Sequence, residues 1–287
     1  MDHRPGWLEH RPLKIELDKM FDSAHGRIAW GRGGSGAPIV MVHGTPFSSF
    51  VWQRLASTLA ETHEVILLDL LGYGLSDKPL RVSLDIQGEV LAEFLGTVCP
   101  AKPPVVVAHD YGGTASLRAH LLHGVEYDRL ILMDPVAITP WGTPFARHMM
   151  RWSEAFETMP DAYHRAVFEA YIASACETRL DPGITAALMQ PWLGAEGQSA
   201  FYRQIGQADV RYTEEFRDRL GDVRCQSFLL WGENDSWLSV ENGRNLASIL
   251  RPQRFEIAPA AGHLVQFDAP EQVLAFIRSA LAHAIDR

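Results

Sequence analysis

Short apolar runs, separated by polar or small residues, set the rhythm of the chain. Pro38–Val42, Glu64–Asp69, Pro104–Ala108, Arg129–Met133, Gln226–Trp231 and Arg254–Ala258 are rich in Val, Ile and Leu and do not alternate. Runs of this length read as parallel strands covered on both faces. Apolar residues recur at helical spacing over Thr114–Leu122, Ser239–Leu250 and Glu271–Ala284. Strand alternating with helix implies an α/β sheet with right-handed crossovers. Nearer the start, Leu13–Leu17 and Arg27–Trp30 read as antiparallel strands, followed by a Gly-rich turn at Gly31–Gly36.

The rhythm breaks between Ile138 and Asp218. No strong strand occurs there, and aromatic residues gather, among them Trp141, Trp152, Tyr163, Tyr171, Trp192, Tyr202 and Tyr212. The expected organisation is a core of residues 1–137 and 218–287 with a helical cap at 138–217. An insertion after the C-terminal end of a strand lies over the edge where α/β sheets bind ligands. Most of these aromatics are expected to form the cap's own small core.

With 287 residues, 47% hydrophobic and 21% charged, the chain has room for one large α/β domain carrying such an insertion. The net charge of −9 argues against a nucleic-acid or anionic-membrane partner, both of which need a basic face. Met1–Pro12 is polar, and no run of about 18 apolar residues occurs, so neither a signal peptide nor a membrane span is expected. Cys99, Cys176 and Cys225 lack metal-ligand spacing and read as buried or free thiols of a reducing compartment, with the cytoplasm as address.

The sharpest chemical signal is Val105-Val106-Val107-Ala108-His109-Asp110-Tyr111-Gly112-Gly113-Thr114, a buried strand that runs straight into a helix. Small residues two before and two after Asp110 (Ala108 and Gly112) are what a strained strand-to-helix turn bearing a nucleophile demands. The helix N-terminus favours the ionised carboxylate, which can attack carbon directly. The competing reading is an Asp N-cap. Met41-Val42-His43-Gly44-Thr45-Pro46 ends another strand, and the N–H groups of Thr45 and Tyr111 are assigned to an anion hole. His263, after Ala258-Pro259-Ala260-Ala261-Gly262, follows the last strand and is the candidate base. Two acids can orient it: Asp235 in Trp231-Gly232-Glu233-Asn234-Asp235, which is preferred, and Asp134 in Leu132-Met133-Asp134-Pro135. His43, Trp141 and Trp152 are expected at the substrate pocket. Gly72-Tyr73-Gly74-Leu75-Ser76 lacks the spacing and GK[ST] of a nucleotide loop and reads as a shaped loop at the site edge. His120 and His123 have no carboxylate at metal-site spacing.

HGTP, DLLGYGLSDKP, AHDYGG, WGENDSW and AGHLVQFDAPE, in this order, resemble the α/β-hydrolases. With Asp at the turn, the chain looks like the branch holding epoxide hydrolases, haloalkane dehalogenases and haloacetate dehalogenases. The resemblance implies the α/β-hydrolase fold, a mostly parallel eight-stranded sheet flanked by helices with an inserted helical cap. It also implies a two-step hydrolysis. Asp110 displaces a leaving group from carbon to give an alkyl-enzyme ester, and water activated by His263 cleaves that ester. No cofactor or metal is implied. The expected partners are a small apolar organic substrate and water, and the expected assembly is a monomer or homodimer. Haloalkane dehalogenases usually place Trp after the nucleophile and haloacetate dehalogenases Arg, whereas this chain has Tyr111. Epoxide hydrolases use cap tyrosines toward the ring oxygen. Ala200-Phe201-Tyr202-Arg203 resembles that cap segment, so Tyr202 is the candidate acid, with the Tyr163–Tyr171 stretch a source of a second. Epoxide hydrolysis is preferred, dehalogenation is the alternative, and a non-catalytic ligand-binding protein of the same fold is the rival from another class.

Overall fold

The computed structural model describes residues 14–284. Its strands are β1 (Lys19–Ser23), β2 (Gly26–Gly33), β3 (Pro38–Val42), β4 (Glu64–Leu68), β5 (Val105–His109), β6 (Arg129–Met133), β7 (Gln226–Gly232) and β8 (Arg254–Ala258). They form one eight-stranded sheet in the order β1-β2-β4-β3-β5-β6-β7-β8. β1–β2 and β2–β4 pair antiparallel, and every other pair is parallel. The non-alternating runs from β3 to β7 are buried because helices cover both faces, with β5 and β6 buried at every residue, while the edge strand β8 is only partly covered. Each fully buried Val or Leu in them contributes roughly 1.5–3 kcal/mol relative to exposure.

The helices of the core before the insertion are α1 (Gln53–Leu59), α2 (Leu84–Val98) and α3 (Tyr111–Leu121). The insertion follows β6 and holds α4 (Pro144–Arg151), α5 (Ser153–Glu157), α6 (Asp161–Ala173), α7 (Pro182–Met189), α8 (Gly194–Gly206) and α9 (Arg211–Arg217). After it come α10 (Val240–Leu250), α11 (Val265–Asp268) and α12 (Pro270–Ala282). From β3 the chain moves to β4 on one side and to β5 on the other. The carboxyl ends of β3 and β5 therefore lie at the point where the strand order reverses, the usual position of a ligand crevice in such sheets.

Two local expectations change. The first strand is Lys19–Ser23 rather than 13–17; Leu13 lies outside the described residues, and residues 14–17 are not strand. Ile15 N–H donates to Gln53 Oε1 (3.2 Å) and its carbonyl accepts from Gln53 Nε2 (2.8 Å), so a side chain takes the place of a neighbouring strand. The Gly-rich stretch is also not all turn, since β2 runs through Gly33. Among the described residues no helix is long and apolar enough to cross a membrane.

Candidate active site

β5 delivers Asp110 at the start of α3 with φ 50° and ψ −119°, a region a side-chain-bearing residue enters only when its surroundings force it. What forces it is close packing of α3 on the sheet. A Cβ on Gly112 would lie 2.5 Å from the carbonyl oxygens of both Val42 and His43, so only glycine lets the helix start this near β3. Gly44 faces the turn from β3, where a Cβ would stand 2.4 Å from Asp110 Oδ1. The Asp110 carbonyl accepts from Gly113 N–H (2.9 Å) and Val136 N–H (3.2 Å), which fixes the turn on both sides.

Thr45 N–H donates to Asp110 Oδ1 at 2.7 Å. Asp110 Oδ2 lies 3.4 Å from His263 Nε2, and His263 Nδ1 lies 2.8 Å from Asp235 Oδ2. The other oxygen of Asp235 accepts from the N–H groups of Trp237 (2.7 Å) and Leu238 (2.9 Å). The structure thus brings Asp110, His263 and Asp235 into one line, with Asp235 rather than Asp134 on the imidazole. Burial works against charge on His263, but the Asp235 and Asp110 carboxylates outweigh it and hold the imidazolium well above the usual histidine range. His263 is clasped by neighbours to which the motifs that contain them assigned no role. Trp237 stacks on its ring at 4.9 Å, and His109 packs against it at 4.7 Å. His109 Nε2–H donates to the His263 carbonyl (2.8 Å), and burial lowers its pKa to about 3, so it stays neutral.

Over Asp110 lies a cavity of about 30 Å³, roofed by cap residues. That is roughly the room one water takes in the liquid. Tyr111, Trp141, Met150, Tyr171, Ile205 and Trp237 line it, and no Lys, Arg or His is among the described residues that do. Neither the Tyr111 nor the Tyr171 hydroxyl hydrogen-bonds to a described residue. Burial is the main cause that keeps both phenols well above their ordinary pKa, with Asp110 adding to it, so both remain O–H donors. The indoles around the site are already committed: Trp141 Nε1 to Thr213 Oγ1 (3.1 Å), Trp237 Nε1 to Ser174 Oγ (2.9 Å) and Trp192 Nε1 to the Pro46 carbonyl.

Three expected residues stand elsewhere. Tyr202 is fully buried, its hydroxyl is 3.0 Å from His164 Nδ1, and it does not line the cavity; it is cap core, whereas Tyr171 lines the cavity. Trp152 is 50% exposed and packs under Arg151 away from the cavity. His43 is not a pocket residue. Its Nδ1–H donates to the Gly44 carbonyl (2.9 Å) and its Nε2 accepts from Leu70 N–H (2.9 Å), which joins two loops of the site edge. Asp134 sits beside Asp235 without touching the imidazole through a hydrogen bond. The Gly72–Ser76 loop is shaped by Asp69, which accepts from Ser49 N–H and Leu75 N–H, both at 2.8 Å. The same loop sends Tyr73 to the cap, where its hydroxyl donates to Gln204 Oε1 (2.6 Å); Thr45 Oγ1 donates to that oxygen too (3.2 Å). His120 is satisfied by the Val125 carbonyl and Arg224 N–H. No group of three or more His, Cys, Asp or Glu among the described residues is arranged to hold a metal ion.

The profile of the alpha/beta hydrolase family matches residues 39–276, and the chain belongs to that family. It is 25% identical over 266 residues to an epoxide hydrolase 2 of Caenorhabditis elegans, covering 83% of this chain and 72% of that protein. It is 27% identical over 272 residues to a haloalkane dehalogenase 2 of Mycobacterium bovis, covering 90% and 93%. The crystal structure of an alpha/beta hydrolase fold protein from Burkholderia ambifaria superposes with a TM-score of 0.89 at 43% identity, over 93% of this chain and 98% of that one. The kinship with epoxide hydrolases and haloalkane dehalogenases places the chain in the aspartate-nucleophile branch.

Proposed function

We propose that this α/β-hydrolase opens small uncharged epoxides to diols through an ester on Asp110. The observation that carries the reading is the pair of unengaged phenols, Tyr111 from the core and Tyr171 from the cap, which line the same cavity as Asp110. Oδ2 of Asp110 attacks a ring carbon, the carbon–oxygen bond breaks, and a tyrosine O–H protonates the leaving oxygen. Oδ1 stays on Thr45 N–H as the ester carbonyl, where that donor, together with Tyr111 N–H, stabilises the later tetrahedral oxyanion. His263 takes a proton from water as its oxygen adds to the ester carbon. Collapse passes the proton of the added hydroxyl to the leaving alkoxide, which releases the diol and restores the Asp110 carboxylate beside a protonated His263.

His263 times the second step. Once Asp110 is an ester, its negative charge no longer holds the imidazolium and only Asp235 remains, so the ring passes its proton to the phenolate left by ring opening and becomes free to act as a base. Two features weigh against the dehalogenase alternatives. The indole N–H groups that would hold a halide are spent on protein oxygens, and a haloacetate carboxylate meets no cationic side chain on the cavity wall.

The test runs epoxides, alkyl halides, haloacetates and simple esters in parallel, following diol and halide release. Diol without halide is expected. Tyr171→Phe and Tyr111→Phe are each expected to slow epoxide opening by about 10²-fold or more, with Tyr202→Phe near wild type. His263→Gln is expected to trap an adduct on Asp110, seen as added mass. Halide release that survives both tyrosine changes would sink the epoxide reading, and the absence of any adduct would count against the ester.

A further inference from the structure

Asp134 is a buried titratable group that this chemistry does not use. It follows β6 with φ 42° and is 0% exposed. Its Oδ1 accepts from Gly232 N–H at 2.7 Å, while Oδ2 is buried with no hydrogen-bond partner among the described residues. The titratable groups facing it are Asp235 and His263. Asp235 spends one oxygen on two backbone N–H groups and the other on His263 Nδ1. No Lys or Arg side chain of the described residues acts on Asp134, and the His263 cation, which favours its charge, is hydrogen-bonded to Asp235 instead, so a second carboxylate here would be desolvated, without a hydrogen-bonded cation and next to a like charge. A proton on Oδ2 removes all three difficulties, because it turns an orphan acceptor into a donor toward the neighbouring carboxylate.

We infer that Asp134 is held as a neutral carboxylic acid that donates its hydrogen bond to Asp235, a positioning residue standing behind His263. Burial, then the Asp235 charge, push its pKa well above the carboxylate range, in keeping with that state. The donated bond disperses the Asp235 charge and loosens its hold on the imidazolium, so His263 gives up its proton more readily when the ester must be cleaved. This consequence for turnover rests on the proposed role of Asp110, but the protonation itself does not.

Asp134→Asn keeps a donor and an acceptor in place, and Asn tolerates the positive φ. Infrared difference spectra of wild type against Asp134→Asn are expected to lose the C=O stretch of a buried protonated carboxyl. Thermal stability gives a second reading. A folded pKa raised above the unfolded value of about 3.9 costs stability as pH climbs past that value. Asp134→Asn lacks this cost, so it should melt above wild type at pH 7 and converge with it toward pH 4. In turnover, Asp134→Asn should stay within about twofold of wild type. Asp134→Gly, which accepts the same φ but removes the donor, should shift the acid limb of ester cleavage to higher pH. A retained C=O band together with an Asp134→Asn variant less stable than wild type at pH 7 would overturn the inference. If the Asp110 reading fails, no ester forms in any variant, and the spectra and melting curves still decide the state of Asp134.

Discussion

Between the Oδ2 atoms of Asp110 at 3.4 Å and Asp235 at 2.8 Å, the His263 ring is kept charged in the resting protein. A folded histidine pKa raised above its unfolded value stabilises fully below about pH 6.5, and that stability is lost as pH rises through the folded value. Asp110→Asn removes one of the two carboxylates. The alkaline fall in melting temperature should therefore start near the same pH in both proteins but end at lower pH and be smaller in Asp110→Asn, read from melting curves across pH 6–10. An unchanged pH dependence would mean that Asp235 alone holds the proton. At this scale the sequence was readable where backbone geometry dictates residue type. Asp110 between Ala108 and Gly112, Thr45 in its Gly-Pro turn, and His263 after the last strand are local patterns. Tyr171 and Trp237 were not, because a tyrosine on an amphipathic cap helix looks the same whether it turns to a neighbour or to a cavity. Tyr202 shows the converse: a suggestive Tyr-Arg pair whose hydroxyl is taken by His164 from another helix.

Helix α8 is joined to the core through the Gln204 amide and through Arg203, which donates to the Lys78 carbonyl. Gln204 Oε1 accepts from Tyr73 and Thr45, both buried, and so ties the cap to the two loops that frame Asp110. Gln204→Ala strands two buried hydroxyls, each costing about 1–3 kcal/mol when unsatisfied. A loss of roughly 2–4 kcal/mol in denaturant unfolding is expected, along with faster hydrogen exchange in α8; a loss below about 0.5 kcal/mol would mean that the hydroxyls find other partners. Elements whose burial is one-dimensional were legible. β3 to β7 are fully or largely covered, so their composition alone marks them, whereas the edge strand β8 is largely half-buried. β1 alternates half-buried and exposed residues and carries no such mark, and the apolar Ile15 and Leu17 drew the expected strand toward the wrong segment. Helix α2 was missed although Leu84, Val90, Leu91, Phe94 and Leu95 follow helical spacing, since Gln87 and Gly88 interrupt the stripe on its buried side.

For the molecule as a whole, the narrow cavity over Asp110 sets the limit on what can react. About 30 Å³ lies far below the roughly 300–1,000 Å³ of ordinary ligand pockets, so substrate needs either very small size or an outward shift of α4 and α6. Met150 stands on α4 as part of the wall. Met150→Ala should raise kcat/KM for longer alkyl epoxides relative to the shortest by about tenfold, measured as a ratio within one preparation so that changes in stability cancel. An unaltered ratio would place the size limit at Trp141 or Tyr171 instead. The core and the presence of a cap were readable from rhythm, whereas cavity volume depends on how six helices settle and has no one-dimensional signature. The chain leaves the sheet after Met133 and returns at Gln226, and the strands on either side are hydrogen-bonded neighbours, Arg129 to Gln226 through Met133 to Leu230. Everything between is a detour that begins and ends at one seam. That seam separates what the sheet must keep from what the insertion can vary: its helices can change in length without adding or removing a rung between β6 and β7.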